Sequence, residues 1–380
     1  MEKTNGKINI GMVVLFVFLL TPFLSISGIK NTMGAGMFQI WQIIAICFLL
    51  LIFLVKHQQI KFNWALGLFC AYQFIILFSS AYNGVITIGI IAIVFTSIIV
   101  FMLLQTDAYY EIIGAVSVIV VLSLIINAFT MVQNRDVIGA EYFIGGKNSL
   151  GIFLIPGMFI LIIRALEKKN KINKFTVLAI VLCVASVFLG ASGTGVVVAV
   201  FTIIVLLLAI KFKPKKTVYL GVVLVIYALF LLFSERFFLT EYWFKITQFL
   251  GKDSTLTART TIWRLAKELI ADNWLIGAGR GVGISYVNTY GELQVMTEAH
   301  NFILEILLEG GVVALLLFGL LFFRMVARLN LEKPKDRVIF IALCILLING
   351  LTESTINVFM VIMIISIACR YAGEKEKEKI

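Results

Sequence analysis

The sequence predicts an all-α fold, a polytopic helical membrane protein, and three observations support this class. Of the 380 residues, 61% are hydrophobic and only 14% are charged, with a mean hydropathy of +1.04. Soluble domains contain about 45–50% apolar and about 25% charged residues, so a soluble enzyme is excluded. The apolar residues form runs of about 20, the length at which a helix crosses a bilayer. They do not alternate with polar residues, which excludes a transmembrane β-barrel.

About twelve apolar runs divide the chain into spans and connections. We predict spans over residues 1–233 and 300–372, separated by a large extracytoplasmic loop over 234–299. A charged cytoplasmic tail over 373–380 is expected to be disordered. The predicted spans lie near residues 8–29, 36–55, 64–82, 84–104, 111–132, 148–166, 174–191, 194–211, 217–234, 300–327, 337–352 and 354–371.

The basic residues predict how the chain is oriented in the membrane. The 32 Lys and Arg outnumber the 21 Asp and Glu, which gives a net charge of +11. If the N-terminus is cytoplasmic, the inside loops hold about 22 of these basic residues, among them KFKPKK at 211–216. We therefore expect both termini on the cytoplasmic side. This distribution accounts for the charge without nucleic acid as a partner, and the five cysteines lack metal-ligand spacing.

The predicted extracytoplasmic loop is long for a chain whose other connections are short, and such loops are usually functional. Within it, residues 257–277 carry apolar side chains at helical spacing. This pattern predicts an amphipathic helix on or near the outer membrane surface. The sequence GAGRGVG at 277–283 is then expected to end the helix with a flexible, glycine-rich turn.

His300 is the residue that we expect to carry chemistry, because it lies where the loop re-enters the membrane. The alternative interpretation is a polar cap at the end of a span. Glu305 and Glu309 follow on one face of the same span, and acidic residues within a span are candidates for function. Glu309 would lie roughly 13 Å along the helix from the imidazole. An orienting partner for His300 must therefore come from elsewhere, and the candidates are Glu298 and Glu353.

Basic residues predicted on the external side form a second group of candidates. The guanidinium group of arginine presents a planar fork that suits phosphate oxygens. Arg259 would lie in the first turn of the amphipathic helix, where the helix dipole also favours an anion. The alternative is that these side chains extend to lipid headgroups. The candidate phosphate-binding residues are Arg259, Arg280, Lys147 and Arg264.

Two polar segments are predicted on the same side of the membrane. IGGKNSLG at 144–151, which includes Asn148, would begin a span, and GASGTG at 190–195 would form a turn. Each is also explained as an ordinary helix start or turn. Together with the large loop, they would supply polar groups to a single external site.

The segment AHNFILEILLEGGVVALLLFGLL at 299–321 resembles the signature of the O-antigen ligase and polysaccharide polymerase superfamily. ARTTIWRLAKELIADNWLIGAGRGV at 258–282, GGKNSLG at 145–151 and ASGTG at 191–195 are similar to further elements of that family. The resemblance implies a GT-C-like fold and a metal-independent glycosyltransferase that uses a polyprenyl diphosphate-linked donor. It implies that His300 deprotonates the acceptor hydroxyl and that Arg259 binds the diphosphate. No cofactor is expected. Supporting roles are expected for Asn301, Glu305, Glu309, Asn148 and Glu353.

The resemblance also implies a function at the outer face of the cytoplasmic membrane. One family turn reads SGTG here instead of Ser-Arg, so Lys147 or Arg280 would replace the missing charge. This departure favours a polymerase that joins undecaprenyl diphosphate-linked oligosaccharide repeat units into capsule, exopolysaccharide or O-antigen. The alternative is a ligase that transfers finished glycan to a lipid or wall acceptor. A secondary transporter is disfavoured, because its ionisable groups would lie at mid-membrane. The expected partners are the donor and acceptor glycans, with a flippase and a chain-length regulator as further candidates.

Overall fold

The computed structural model is almost entirely helical. It describes residues 8–24, 26–60, 63–134, 141–169, 171–190, 192–211, 215–237, 245, 256–287, 292–356 and 358–377. Within these residues, five helices are long and apolar enough to cross a membrane, or six if a bent pair near the N-terminus forms one span. The findings agree with an all-α membrane protein, whereas the number of twelve spans stays a prediction.

The helices follow the predicted apolar runs, because a helix satisfies the backbone hydrogen bonds of such a run internally. Polar residues fix several helix starts: Asn63, Thr87 and Asn173 each accept a backbone N–H of the first turn. In chain order the helices are α1 (Ile10–Leu20), α2 (Ser27–Met33), α3 (Ala35–Lys56), α4 (Trp64–Tyr82), α5 (Ile88–Leu103), α6 (Tyr109–Gln133), α7 (Lys147–Lys169), α8 (Lys174–Leu189), α9 (Gly193–Lys211), α10 (Lys216–Phe237), α11 (Leu256–Asp272), α12 (Phe302–Arg328), α13 (Pro334–Asn349) and α14 (Phe359–Lys377).

Burial separates the central helices from the peripheral ones. The side chains of α7, α13 and the first three turns of α14 are largely buried. α3 exposes apolar residues such as Ile43 and Leu51, which suit contact with lipid. α14 continues to Lys377, so the expectation of a disordered tail is wrong for residues 373–377. Residues 378–380 lie outside the described part of the chain.

The first predicted span, 8–29, is not continuous. A short 3-10 helix that contains Pro22 follows α1, and proline cannot continue the hydrogen-bond ladder of an α-helix. α2 then lies beside the connection between α6 and α7, where Gly28 N donates to Phe143 O at 2.8 Å. The span predicted near 8–29 therefore consists of a bent pair of helical segments, Ile10–Phe23 and Ser27–Met33, and not of one continuous helix.

α12 is kinked in its middle. Gly311 has a φ of 65°, which lies outside the helical range, so the ladder opens at this point. The freed N–H groups of Val312 and Val313 donate instead to the carbonyls of Trp274 and Leu275, at 2.9 and 3.2 Å. Residues 274–275, which join α11 to the glycine-rich segment at 277–283, are thus paired to the kink by backbone hydrogen bonds.

The glycine-rich segment at 277–283 begins with a residue that contacts both α4 and α12. Gly277 has a φ of 76°, and a Cβ there would lie 2.5 Å from the backbone nitrogen of Gly310. Its carbonyl accepts hydrogen bonds from Ser79 Oγ at 3.0 Å and Asn83 Nδ2 at 3.1 Å. The turn predicted to be flexible is therefore fastened between α4 and α12 at Gly277.

The predicted amphipathic helix is present as α11. Its buried residues Ile262, Trp263 and Ala266 belong to one apolar cluster with Leu304 and Leu308 of α12. The apolar face is therefore covered by protein, which anchors α11 against α12.

A β-hairpin that the sequence analysis did not predict follows α11. Strands β1 (Ile284–Val287) and β2 (Leu293–Met296) are antiparallel, with Ile284 opposite Met296 and Val287 opposite Leu293. Residues 238–244, 246–255 and 288–291 of the predicted loop lie outside the described part of the chain.

Candidate active site

His300 lies directly before α12 in an unusual backbone conformation. Its φ of 48° is the only positive value at a non-glycine residue among those that the structure describes. The left-handed region costs an ordinary residue about 1–2 kcal/mol, so neighbouring contacts must hold it there. Trp263 Nε1 donates to His300 O at 3.3 Å, and the Asn301 side chain caps α12 by accepting from the N–H groups of Ile303 and Leu304.

The start of α12 is tied to the turn between α13 and α14. Asn301 Nδ2 donates to Leu351 O at 2.9 Å, and Phe302 N donates to Gly350 O at 2.7 Å. The Tyr227 hydroxyl, from α10, also donates to Gly350 O at 2.8 Å. These bonds bring the turn that contains Glu353 next to His300. Glu353 was one of the two candidate partners that the sequence analysis named for His300.

Glu353 lies between the two residues to which the sequence analysis assigned chemistry. One carboxylate oxygen, Oε1, lies 2.7 Å from Arg259 Nη2, and the other, Oε2, lies 3.8 Å from His300 Nδ1. The side chains are mostly buried, with exposed fractions of 13% for Arg259, 5% for Glu353 and 18% for His300. Arg259 is in the first turn of α11, as predicted. The three side chains form one polar cluster, called the His300 cluster below.

Threonine and serine side chains join the other polar segments to this cluster. Thr194, in the first turn of α9, accepts from Arg259 Nη1 at 3.4 Å and from the Thr352 hydroxyl at 3.1 Å. Ser192 donates to Asn148 Oδ1 at 3.0 Å. The segments 144–151 and 190–195 therefore meet, and the second of them contacts Arg259.

Sequence reasoning singled out neither Trp263 nor Thr352. Trp263 is four residues after Arg259, and residues four apart share a helix face, so this spacing could have revealed it. No comparable signal pointed to Thr352, because its contact with Thr194 spans 158 positions.

Glu305 has a buried position one turn into α12. It accepts from Ala299 N at 2.6 Å and from the Ser354 hydroxyl at 2.9 Å. Both partners are direct chain neighbours of residues in the His300 cluster. Glu305 therefore fixes the chain on each side of the cluster.

Glu298 was the other candidate partner for His300. Loss of hydration raises the pKa of the Glu298 carboxyl above its ordinary value, while the neighbouring His300 lowers it. The carboxylate that lies within 4 Å of the imidazole nitrogen Nδ1 is that of Glu353.

Arg280 and Glu309 form a second buried pair, which lies deeper along α12. Arg280 donates from Nε and Nη2 to the two carboxylate oxygens of Glu309, at 3.0 and 3.1 Å. The exposed fractions are 10% and 3%. Arg280 N also donates to Ser80 Oγ in α4 at 2.9 Å. The pair therefore links the glycine-rich segment, α4 and α12.

The remaining two candidate cations are exposed. Arg264 forms an ion pair at 2.7 Å with Glu268 along α11, and both side chains are 58% exposed. Lys147 is the exposed first residue of α7, next to Asn148. Four cations were predicted to bind phosphate. Arg259 lies in the His300 cluster, whereas Arg280 pairs with Glu309 and Arg264 pairs with Glu268.

Comparison with known proteins identifies a related domain in the same part of the chain. No curated protein matches the sequence significantly. Residues 178–319 match a family model described as O-Antigen ligase. The match includes Thr194, Arg259 and His300, and it ends before Glu353. Residues 178–319 are therefore similar to an O-antigen ligase domain, in agreement with the O-antigen ligase and polysaccharide polymerase superfamily that the sequence resembles.

Proposed function

We propose that the protein is a polymerase that joins undecaprenyl diphosphate-linked oligosaccharide repeat units into surface polysaccharide. The reaction takes place at the outer face of the cytoplasmic membrane, with both termini of the chain inside. The growing glycan leaves its diphosphate and is transferred to a sugar hydroxyl of the incoming unit. The observation that carries this proposal is the His300 cluster, in which Glu353 lies between a mostly buried arginine and an imidazole, both of which fall in the segment that is similar to O-antigen ligase.

His300 acts as the general base in this reaction. Histidine is the side chain that enzymes use most often as a general base, and a positioned base contributes about 10²–10⁴-fold to a rate. Nε2 takes the proton of the acceptor hydroxyl while the oxygen attacks the anomeric carbon of the donor. The bond between that carbon and the diphosphate oxygen breaks, and its electron pair leaves with the diphosphate.

Arg259 stabilises the diphosphate as it departs. Its guanidinium is largely desolvated, and a desolvated cation interacts more strongly with developing negative charge than an exposed one does. The first turn of α11 adds free N–H groups and the positive end of the helix dipole. We assign no direct contact with the donor to Arg280, because Glu309 already occupies its guanidinium.

The ligase alternative uses the same donor and the same two residues, and the description of the matching family favours it. The two functions differ in the acceptor, which is another repeat unit for a polymerase and a lipid or wall component for a ligase. The product distribution in cells separates them.

The test is complementation of a deletion strain with His300→Asn and with Arg259→Ala. Asparagine tolerates the left-handed conformation at position 300, so His300→Asn removes the imidazole without adding backbone strain. The chain-length distribution of the surface polysaccharide is measured at equal protein levels. His57→Asn is the matched control, because His57 is the other histidine of the chain and is exposed.

Accumulation of single repeat units in both variants supports a polymerase. Long chains that stay on undecaprenyl diphosphate support the ligase instead. Wild-type chain lengths in either variant would overturn the assignment of that residue.

A further inference from the structure

Glu353 shares its carboxylate unequally between Arg259 and His300. Oε1 is within hydrogen-bonding distance of Arg259 at 2.7 Å, while Oε2 lies 3.8 Å from His300 Nδ1. Nitrogen–oxygen hydrogen bonds span about 2.7–3.2 Å, so the imidazole contact is too long to be one. Nδ1 is nevertheless buried, and it has no hydrogen-bond partner among the described residues. The arrangement therefore leaves a buried polar atom unsatisfied beside a carboxylate that could satisfy it.

The position of Arg259 accounts for the incomplete contact. Its guanidinium is held from a second side by the Thr194 hydroxyl, which also receives a hydrogen bond from Thr352. The carboxylate of Glu353 is therefore bound to a cation whose own position is fixed. A ligand that takes over the N–H groups of Arg259 would free the carboxylate to close on Nδ1. A diphosphate has this property, because its oxygens accept from arginine as a carboxylate does.

We propose that Glu353 is a positioning residue that changes partner when the donor diphosphate binds. This inference rests on the proposed function and specifies how the same site is regulated. The diphosphate binds Arg259, and Glu353 then accepts the Nδ1–H of His300. That bond fixes the tautomer in which Nε2 is free to accept the hydroxyl proton. The carboxylate also stabilises the imidazolium that forms, so the base is activated when the donor is bound.

The first experiment observes the imidazole directly. The chain contains only two histidines, so His57→Asn leaves His300 as the sole source of histidine ring signals. The full-length protein, labelled with ¹⁵N-histidine in lipid nanodiscs, is titrated with farnesyl diphosphate as a water-soluble prenyl diphosphate, and with farnesol as its uncharged control. We expect the diphosphate to move the Nδ1 resonance to that of a hydrogen-bonded N–H, and farnesol to leave it unchanged. An unchanged resonance at saturating diphosphate would overturn the proposal.

Two variants make the same measurement specific to Glu353. Glu353→Gln keeps the shape of the side chain and removes its charge, so the diphosphate should bind at least as tightly as in the wild type. The carboxamide oxygen accepts a hydrogen bond more weakly than a carboxylate, so the response of the Nδ1 resonance should be smaller, and a response equal to that of the wild type contradicts the proposal. Arg259→Gln should show the hydrogen-bonded resonance before any ligand is added, because Glu353 has lost its competing partner. An Nδ1 resonance of Arg259→Gln at the position of the unliganded wild type would also contradict the proposal. The measurement on Arg259→Gln does not depend on whether Glu353→Gln folds.

Kinetics separate a positioning role from a structural one. For Glu353→Gln we expect kcat to fall about 10²-fold while the KM for the donor does not rise. A raised KM with an unchanged kcat would overturn the proposal. If His300→Asn and Arg259→Ala are inactive but Glu353→Gln has the wild-type kcat, only the partner change fails. If His300→Asn and Arg259→Ala are fully active, the proposed function fails as well.

Discussion

Replacement of Gly311 by alanine should disrupt the contact between α12 and residues 274–275, which join α11 to the glycine-rich segment. A Cβ at this position would lie 2.3 Å from the backbone oxygen of Leu275, which cannot move without displacing the segment. The φ of 65° and ψ of −163° lie in a region that is essentially restricted to glycine, which costs alanine about 1–3 kcal/mol. Loss of the hydrogen bonds donated by Val312 and Val313 adds about 1 kcal/mol each. We therefore expect Gly311→Ala to lower the free energy of unfolding by about 3–5 kcal/mol.

Gly319→Ala is the matched control for this prediction. It lies in the same helix, and a Cβ there would meet no other atom within 4 Å. Alanine is the better helix former by about 1 kcal/mol, so this variant should be as stable as the wild type or more so. The free energy of unfolding is measured by chemical denaturation in bicelles, with polysaccharide chain length as a second readout. Equal stability of Gly311→Ala and Gly319→Ala would refute the reasoning about the kink.

Two further predictions concern the charged pairs. Arg280→Gln and Glu309→Gln should each cost about 3–5 kcal/mol, because each removes the counter-charge of a buried charged group, and the double variant should recover part of the loss. A double-mutant cycle on the free energy of unfolding measures this recovery, and strictly additive losses would contradict it. Arg264→Ala should change stability by less than about 1 kcal/mol and leave polysaccharide chain length unchanged, because its pair with Glu268 is exposed. A loss of long chains in this variant would instead place Arg264 in the site.

The helices were largely predictable because their signal is local. A run of apolar residues with polar caps specifies a membrane-length helix regardless of its neighbours, and α4, α6 and α7 agree closely with the predicted spans. The predictions failed where an interruption depends on packing. Both the break after α1 and the exposed hairpin β1–β2 lie in short segments whose apolar pattern is too brief to show a period.

The site was predictable in part. His300 could be singled out because it lies where the large loop re-enters the membrane, where a polar residue is uncommon. Arg259 could be singled out because it falls in the first turn of the predicted amphipathic helix, which favours an anion. Their common neighbour could only be named as one of two candidates, because Glu353 is 53 positions after His300 in the chain. The contact depends on the Asn301 and Tyr227 hydrogen bonds to the turn after α13, and no local pattern encodes those pairings.

The sequence by itself determined that the chain is a helical membrane protein, and it indicated His300 and Arg259 as the residues for chemistry. Hydrophobicity and charge are additive properties of short segments, so they can be read without knowledge of the fold. Only the tertiary structure decided that Glu353 bridges these two residues, whereas Arg280 is buried against Glu309. The physical reason is that a buried charge must find a counter-charge in three dimensions, and which acid meets which arginine depends on helix packing.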